Sequence, residues 1–168
     1  MRSNRWLVFV LIAVCTLSGI AFAQPPDAKN FVTHLSGDEE VQPVATPAQG
    51  QAMFHFWDTD NELLYKLIVS NIEGVTQAHI HCGTEGVNGP VVAFLFGPVS
   101  AGGVDANGVL AQGALTDTNI TDVLCGTTIA DLVQSMRDGN TYVNVHTMVN
   151  PGGEIRGQIQ TAGPDNGG

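Results

Sequence analysis

Alternation with a period of two recurs along this chain and limits its fold more than any other feature. In residues 51–57, Ala52, Phe54 and Phe56 fall on one side, and Met53, His55 and Trp57 on the other. In residues 142–146, Val143 and Val145 separate Tyr142, Asn144 and His146. In residues 154–159, Ile155 and Ile159 point opposite to Glu154, Arg156 and Gln158. Such spacing suits strands with one buried face and leaves no apolar stripe for a helix. Glycine and proline clusters cut the chain into short pieces. Strands are expected at 31–35, 51–57, 63–69, 76–82, 91–96, 142–147 and 154–160. Residues 71–75 read as a connection, and 38–49, with Pro43 and Pro47, as an edge loop. Residues 97–113 read as irregular, with a short strand near 109–111. One helix is expected at 129–137, capped by Thr127 or Thr128, carrying Ile129, Leu132, Val133 and Met136, and stopped by Gly139. The fold class is therefore all-β, an antiparallel sandwich or barrel with one short helix.

The chain opens with Arg2 and Arg5, an apolar run from Trp6 to Val14, and then Ala21-Phe22-Ala23. That order is expected of a secretory signal over residues 1–23, cleaved after Ala23, with a retained membrane anchor as the alternative. Residues 24–30 read as a flexible lead-in, 31–161 as the domain and 162–168 as a disordered tail. Cleavage removes two of six basic residues and none of the 16 acidic ones, so the net charge passes from −10 to −12. So acidic a chain is a poor partner for nucleic acid or anionic membranes. Cys82 and Cys125 then form an even pair in an exported protein, and a disulfide is expected. Cys82 as a thiolate ligand is the competing reading. Asn119-Ile120-Thr121 matches a glycosylation acceptor.

Residues 78–83, Ala-His-Ile-His-Cys-Gly, carry the clearest chemistry. On a strand, His79 and His81 leave one face while Ala78 and Ile80 leave the other. Neutral imidazoles are good ligands for copper, zinc, iron or nickel. If the last hairpin lies beside this strand, His146 joins them on the outer, solvent-facing side, with a coordination position left open. Asn144 or Glu154 is placed to orient a ring, and Arg156 to guide an anion to the metal. His34 and His55 each stand alone in a strand and read as ordinary histidines, either of them available as a fourth ligand. No serine or cysteine nucleophile set with a base is visible, and no Asp-x-Asp-x-Asp-Gly calcium loop. The bland reading of the same residues is a plain polar outer face.

Four stretches carry a family resemblance. They are Leu35-Ser36-Gly37 with Glu40-Val41, and Ala78-His79-Ile80-His81 with Gly86-Val87-Asn88-Gly89-Pro90. The others are Tyr142-Val143-Asn144-Val145-His146-Thr147 and Asn150-Pro151-Gly152-Gly153-Glu154-Ile155-Arg156-Gly157-Gln158. In this order, from about residue 30 to 161, the chain resembles the CHRD domain, the module described in chordin and found in exported microbial proteins. It departs from the family at Gln42-Pro43, where proline usually follows the Glu-Val pair directly. In its arrangement of parts the chain also resembles copper-zinc superoxide dismutase, with His79, His81, His146, Arg156 and Cys82–Cys125 in the corresponding roles. The resemblance implies an immunoglobulin-like or superoxide-dismutase-like sandwich. It lacks the further histidines and aspartate of a zinc site.

These readings lead to a secreted or periplasmic protein that binds a transition metal. Copper is expected and zinc is possible, in a storage, transfer or redox role. If the protein is an enzyme, it is a copper-dependent oxidoreductase. The alternative is a metal-free extracellular interaction module that docks a protein or glycan on the same polar face.

Overall fold

A computed structural model describes residues 27–99 and 102–163. The expected signal segment, its cleavage point and residues 164–168 lie outside the described residues. Eight strands and one helix follow in order. They are β1 (Asn30–Ser36), β2 (Gln49–Trp57), β3 (Glu62–Cys82), β4 (Val91–Phe96), β5 (Val104–Leu115), α1 (Ile129–Arg137), β6 (Thr141–Thr147), β7 (Ile155–Gln158) and β8 (Gln160–Thr161). All pairings are antiparallel. The sheet runs β2-β1-β7-β6-β3-β4, and β3 also pairs with β2, which closes the order into a barrel. β5 adds to β3, and β8 to β1. The all-β expectation with one helix holds.

The helix occupies the expected residues. Thr128 caps it by accepting the Asp131 amide, and Asp131 returns bonds to the amides of Thr127 and Thr128. Gly139, at φ 70°, turns the chain out of it. Its apolar side, Ile129, Leu132, Val133 and Met136, is buried in the same core as Phe31, Leu35, Phe54, Leu63, Leu67, Ile80, Val143, Val145, Ile155 and Ile159. Each fully buried aliphatic side chain of this kind contributes about 1.5–3 kcal/mol.

Two expectations are corrected. Residues 71–75 are not a connection, because β3 continues through them for 21 residues. Asn71 (φ 54°) and Gly74 (φ 63°) take left-handed backbone, and the register against β5 slips between Val69 and Ile72 and again before Val75. These bulges bend one strand so that its first half serves β2 and its second half β6. The glycine-rich stretch after residue 103 is likewise a strand of 12 residues, paired with β3. Glycine weakens a strand but does not forbid it when a long neighbour supplies the ladder.

Lys29 bonds Asp58 at 2.8 Å, and the Ala28 carbonyl accepts from Arg137.

Candidate metal centre

Register assembles the site. Across β3 and β6, Gln77 faces His146, His79 faces Asn144 and His81 faces Tyr142. Across β6 and β7, Asn144 faces Arg156 and Tyr142 faces Gln158. Ala78, Ile80, Val143, Val145 and Ile155 fill the core side at zero exposure. The polar side chains leave by the other face, so the alternation reads correctly.

Where that face lies is the correction. It is not solvated: His79 and Arg156 are each 2% exposed, and His81, Asn144 and His146 are buried as well. Three segments cover it. The loop after β3 lies over β7, where Arg156 donates from Nη1 to Asn88 Oδ1 (2.9 Å) and from Nη2 to the carbonyls of Val87 (2.9 Å) and Thr84 (3.3 Å). Its guanidinium also sits 3.4 Å from the centre of the Tyr142 ring. The segment before β2 brings Glu40, which accepts from Asn144 Nδ2 at 2.6 Å. The turn after β6 brings the Pro151 carbonyl to His146.

The three imidazoles meet. Their ligand nitrogens all lie within 4.8 Å of one another. His79 Nδ1 is 3.2 Å from His146 Nε2, close to the separation of about 3.3 Å that two nitrogens bound at 2.0–2.1 Å to one tetrahedral ion would have. His81 Nδ1 donates to the Gly89 carbonyl and His146 Nδ1 to the Pro151 carbonyl, each at 3.0 Å. Those bonds fix the tautomers and leave both Nε2 lone pairs free. Gly89 can reach so close only as glycine, since a Cβ there would lie 1.6 Å from the Cys82 carbonyl oxygen. Tyr142 stacks on His81 at 4.7 Å and 10°, and Phe94 meets His79 edge-on at 4.5 Å.

Burial, reinforced by the neighbouring His146 and His81, pushes His79 down to about 3. Burial likewise takes His81 down to about 4 against the bond to Gly89, and lowers His146. All three rings are therefore neutral near pH 7 and ready to ligate. The Nε2 atoms of His79 and His81 are buried without a hydrogen-bond partner. Such orphaned atoms cost about 1–3 kcal/mol each, and a metal ion held by His79 Nδ1, His146 Nε2 and His81 Nε2 would satisfy the second of them. The residues present therefore fit a three-nitrogen metal site.

Other expectations change. Asn144 and Glu154 do not orient the rings; two backbone carbonyls do. Asn144 bonds Glu40. Burial pushes Glu154 up, but bonds from Thr147, Thr46 and Asn150 hold it below its ordinary value, and it stands outside the histidine group. Arg156 is not open to draw in an anion from solvent, because it is buried with Nη1 and Nη2 bonded to the loop. His34 bonds Gln49 and His55 bonds Asn30, and neither belongs to the histidine group. Cys82 is joined to Cys125, with Cα atoms 5.8 Å apart, which removes it as a thiolate ligand and pins the end of β3. Asn119 of the glycosylation acceptor is exposed, but its carbonyl oxygen is held by Thr116. Tyr142, Phe94, Glu40 and the Gly89 and Pro151 carbonyls were not read as parts of the site. For the carbonyls no side-chain signal exists.

Among the described residues, no helix is long and apolar enough to cross a membrane. Comparison with curated proteins and with solved structures finds no match. The model of the CHRD domain matches residues 31–159, a span that includes the whole polar face and all three clustered histidines, and the chain belongs to the CHRD domain family.

Proposed function

We propose that this is an exported CHRD-domain protein that binds a transition metal, copper, through His79, His81 and His146, and stores or transfers it. The observation that carries the reading is three neutral, buried imidazoles with ligand nitrogens within 4.8 Å of one another, two of them oriented by backbone carbonyls, with His81 Nε2 left unpartnered. No carboxylate or thiolate joins the group among the described residues. An all-imidazole set disfavours calcium and magnesium, and among divalent first-row ions copper binds such sites most tightly. CHRD domains occur in extracellular proteins, and the disulfide fits an oxidising compartment. Both support export through a signal over residues 1–23.

Copper held there would supply one-electron redox chemistry. A dismutase-like role has less support than storage or transfer, because Arg156 is buried under the loop that it bonds and not open to an incoming anion.

The test is metal analysis of the mature protein purified without an affinity tag, with a competing chelator present. One copper per chain is expected, lost in His79→Ala and in His146→Ala. No uptake by the unaltered protein, with partner binding indifferent to both substitutions, would instead identify a metal-free interaction module.

A further inference from the structure

The histidines supply three donors, and the polar face holds one more orphaned atom beside them. Asn144 lies directly opposite His79 in the β3–β6 register, where paired side chains stand about 5 Å apart at Cβ. It is 3% exposed, and its Oδ1 has no hydrogen-bond partner. Its orientation is not free. Glu40 Oε1 accepts from Nδ2 at 2.6 Å, so the amide nitrogen must face the loop and the oxygen must face away from Glu40. Gly153, at φ 131°, roofs this pair. A Cβ there would come within 2.5 Å of both Asn144 Nδ2 and Glu40 Oε1, so glycine is what lets the amide and the carboxylate meet.

Orphaned buried atoms concentrate on this face. Of the five buried side-chain atoms without a partner among the described residues, His79 Nε2, His81 Nε2 and Asn144 Oδ1 belong to two adjacent rows of one sheet surface. His81 Nε2, whose proton sits on Nδ1, and Asn144 Oδ1 are acceptors, whereas His79 Nε2 carries the proton when Nδ1 ligates. What satisfies a set of acceptors is a cation, or a small molecule with two protons to give. Arg156 bonds the loop through Nη1 and Nη2 and makes no bond to any of the three. Buried waters typically make about three hydrogen bonds, and they occupy polar sites of this kind.

We infer that Asn144 positions a water beside the histidine cluster, and that Glu40 is the residue that aims it. Oδ1 accepts one proton of that water, whose oxygen faces the side of the cluster that the three imidazoles leave open. In the metal-free protein the same water would instead bridge Oδ1 and a free imidazole nitrogen. This inference rests on the metal-site reading. It adds that the position left open is reserved for a small protic ligand, held by an amide and not by a fourth protein ligand.

The experiment uses the mature protein loaded with Cu(II) and water labelled with oxygen-17, whose relaxation reports the residence time of a water at the ion. Asn144→Ala and Glu40→Ala are expected to shorten the residence time about fivefold, the worth of one hydrogen bond of about 1 kcal/mol. Glu40→Gln, whose carbonyl accepts the same amide proton, is expected to leave it within about twofold of the unaltered protein. Copper stoichiometry should stay at one throughout. Uptake of one copper with a residence time indifferent to both alanine variants overturns the water-positioning role and leaves the metal site standing. Failure of the unaltered protein to take up copper overturns both. If Asn144→Ala does not fold, the Glu40 pair of variants decides the matter, because Glu40 hydrogen-bonds this face through Asn144.

Discussion

The two halves of β3 differ in what lies over their outer faces. Along the first half, beside β2 and β5, Leu64, Met53 and Trp57 remain exposed, and His55 pairs only with Asn30 and the edge of Trp57. Along the second half, beside β6 and β4, the same alternation puts His79 and His81 outward, yet both are buried. Composition does not separate the halves, since each carries histidine and aromatic residues on that face. Cover does. Segments from residues 37–48, 83–90 and 147–153 fold over the second half and bring carbonyls, a carboxylate and a side-chain amide to meet its polar row. A polar strand face under water is a surface. Put under loops that leave a few acceptors unmatched, it becomes a ligand site.

The largest expected effect is on metal binding. His79→Ala and His146→Ala should abolish copper uptake under chelator competition, while His34→Ala and His55→Ala leave it unchanged. Copper lost on changing His55 would break the contrast between the halves.

Next comes the cover itself. Arg156→Ala should destabilise the protein by about 3–5 kcal/mol in urea denaturation, because it strands the acceptors of Thr84, Val87 and Asn88 in a buried place. A cost below about 1 kcal/mol would mean that the loop stays shut by other means.

A third test is pH. His79 and His81 stay neutral in the folded state down to about 3 and about 4, whereas unfolded histidine protonates near 6.5. Below pH 6.5 the unfolded chain therefore binds more protons than the folded one. Stability of the metal-free protein should be full above that pH and fall as pH drops toward 4, by up to about 1.4 kcal/mol per pH unit for each imidazole. Denaturation at pH 7.5, 6 and 5 measures it, and a His79→Asn, His81→Asn double variant should flatten the slope.

The smallest effect belongs to the bare half. Leu64→Ala and Trp57→Ala should each cost well under the 2–5 kcal/mol of a core truncation, since both side chains are already more than a third exposed.

Much of this molecule can be read without coordinates. The helix, its cap at Thr127 or Thr128 and the split of residues 142–146 and 154–159 into two faces follow from spacing within a few residues, and the pairing of Cys82 with Cys125 from cysteine count in an exported chain. The bulged middle of β3 and the strand in the glycine-rich stretch do not. Their local signals favour loops, and long-range pairing overrides a weak local preference.

The same division runs through the site. Alternation alone determines that His79, His81 and His146 leave the barrel on the side opposite Ile80 and Val145, because the geometry of a strand is local. Whether that side meets water is a different kind of fact. It depends on how the loops fold back: the Gly89 and Pro151 carbonyls return to histidines a few residues earlier, while Glu40 and Asn88 bond Asn144 and Arg156 from far away in the chain. Backbone carbonyls look alike in every sequence, and only tertiary structure decides which of them close over a histidine.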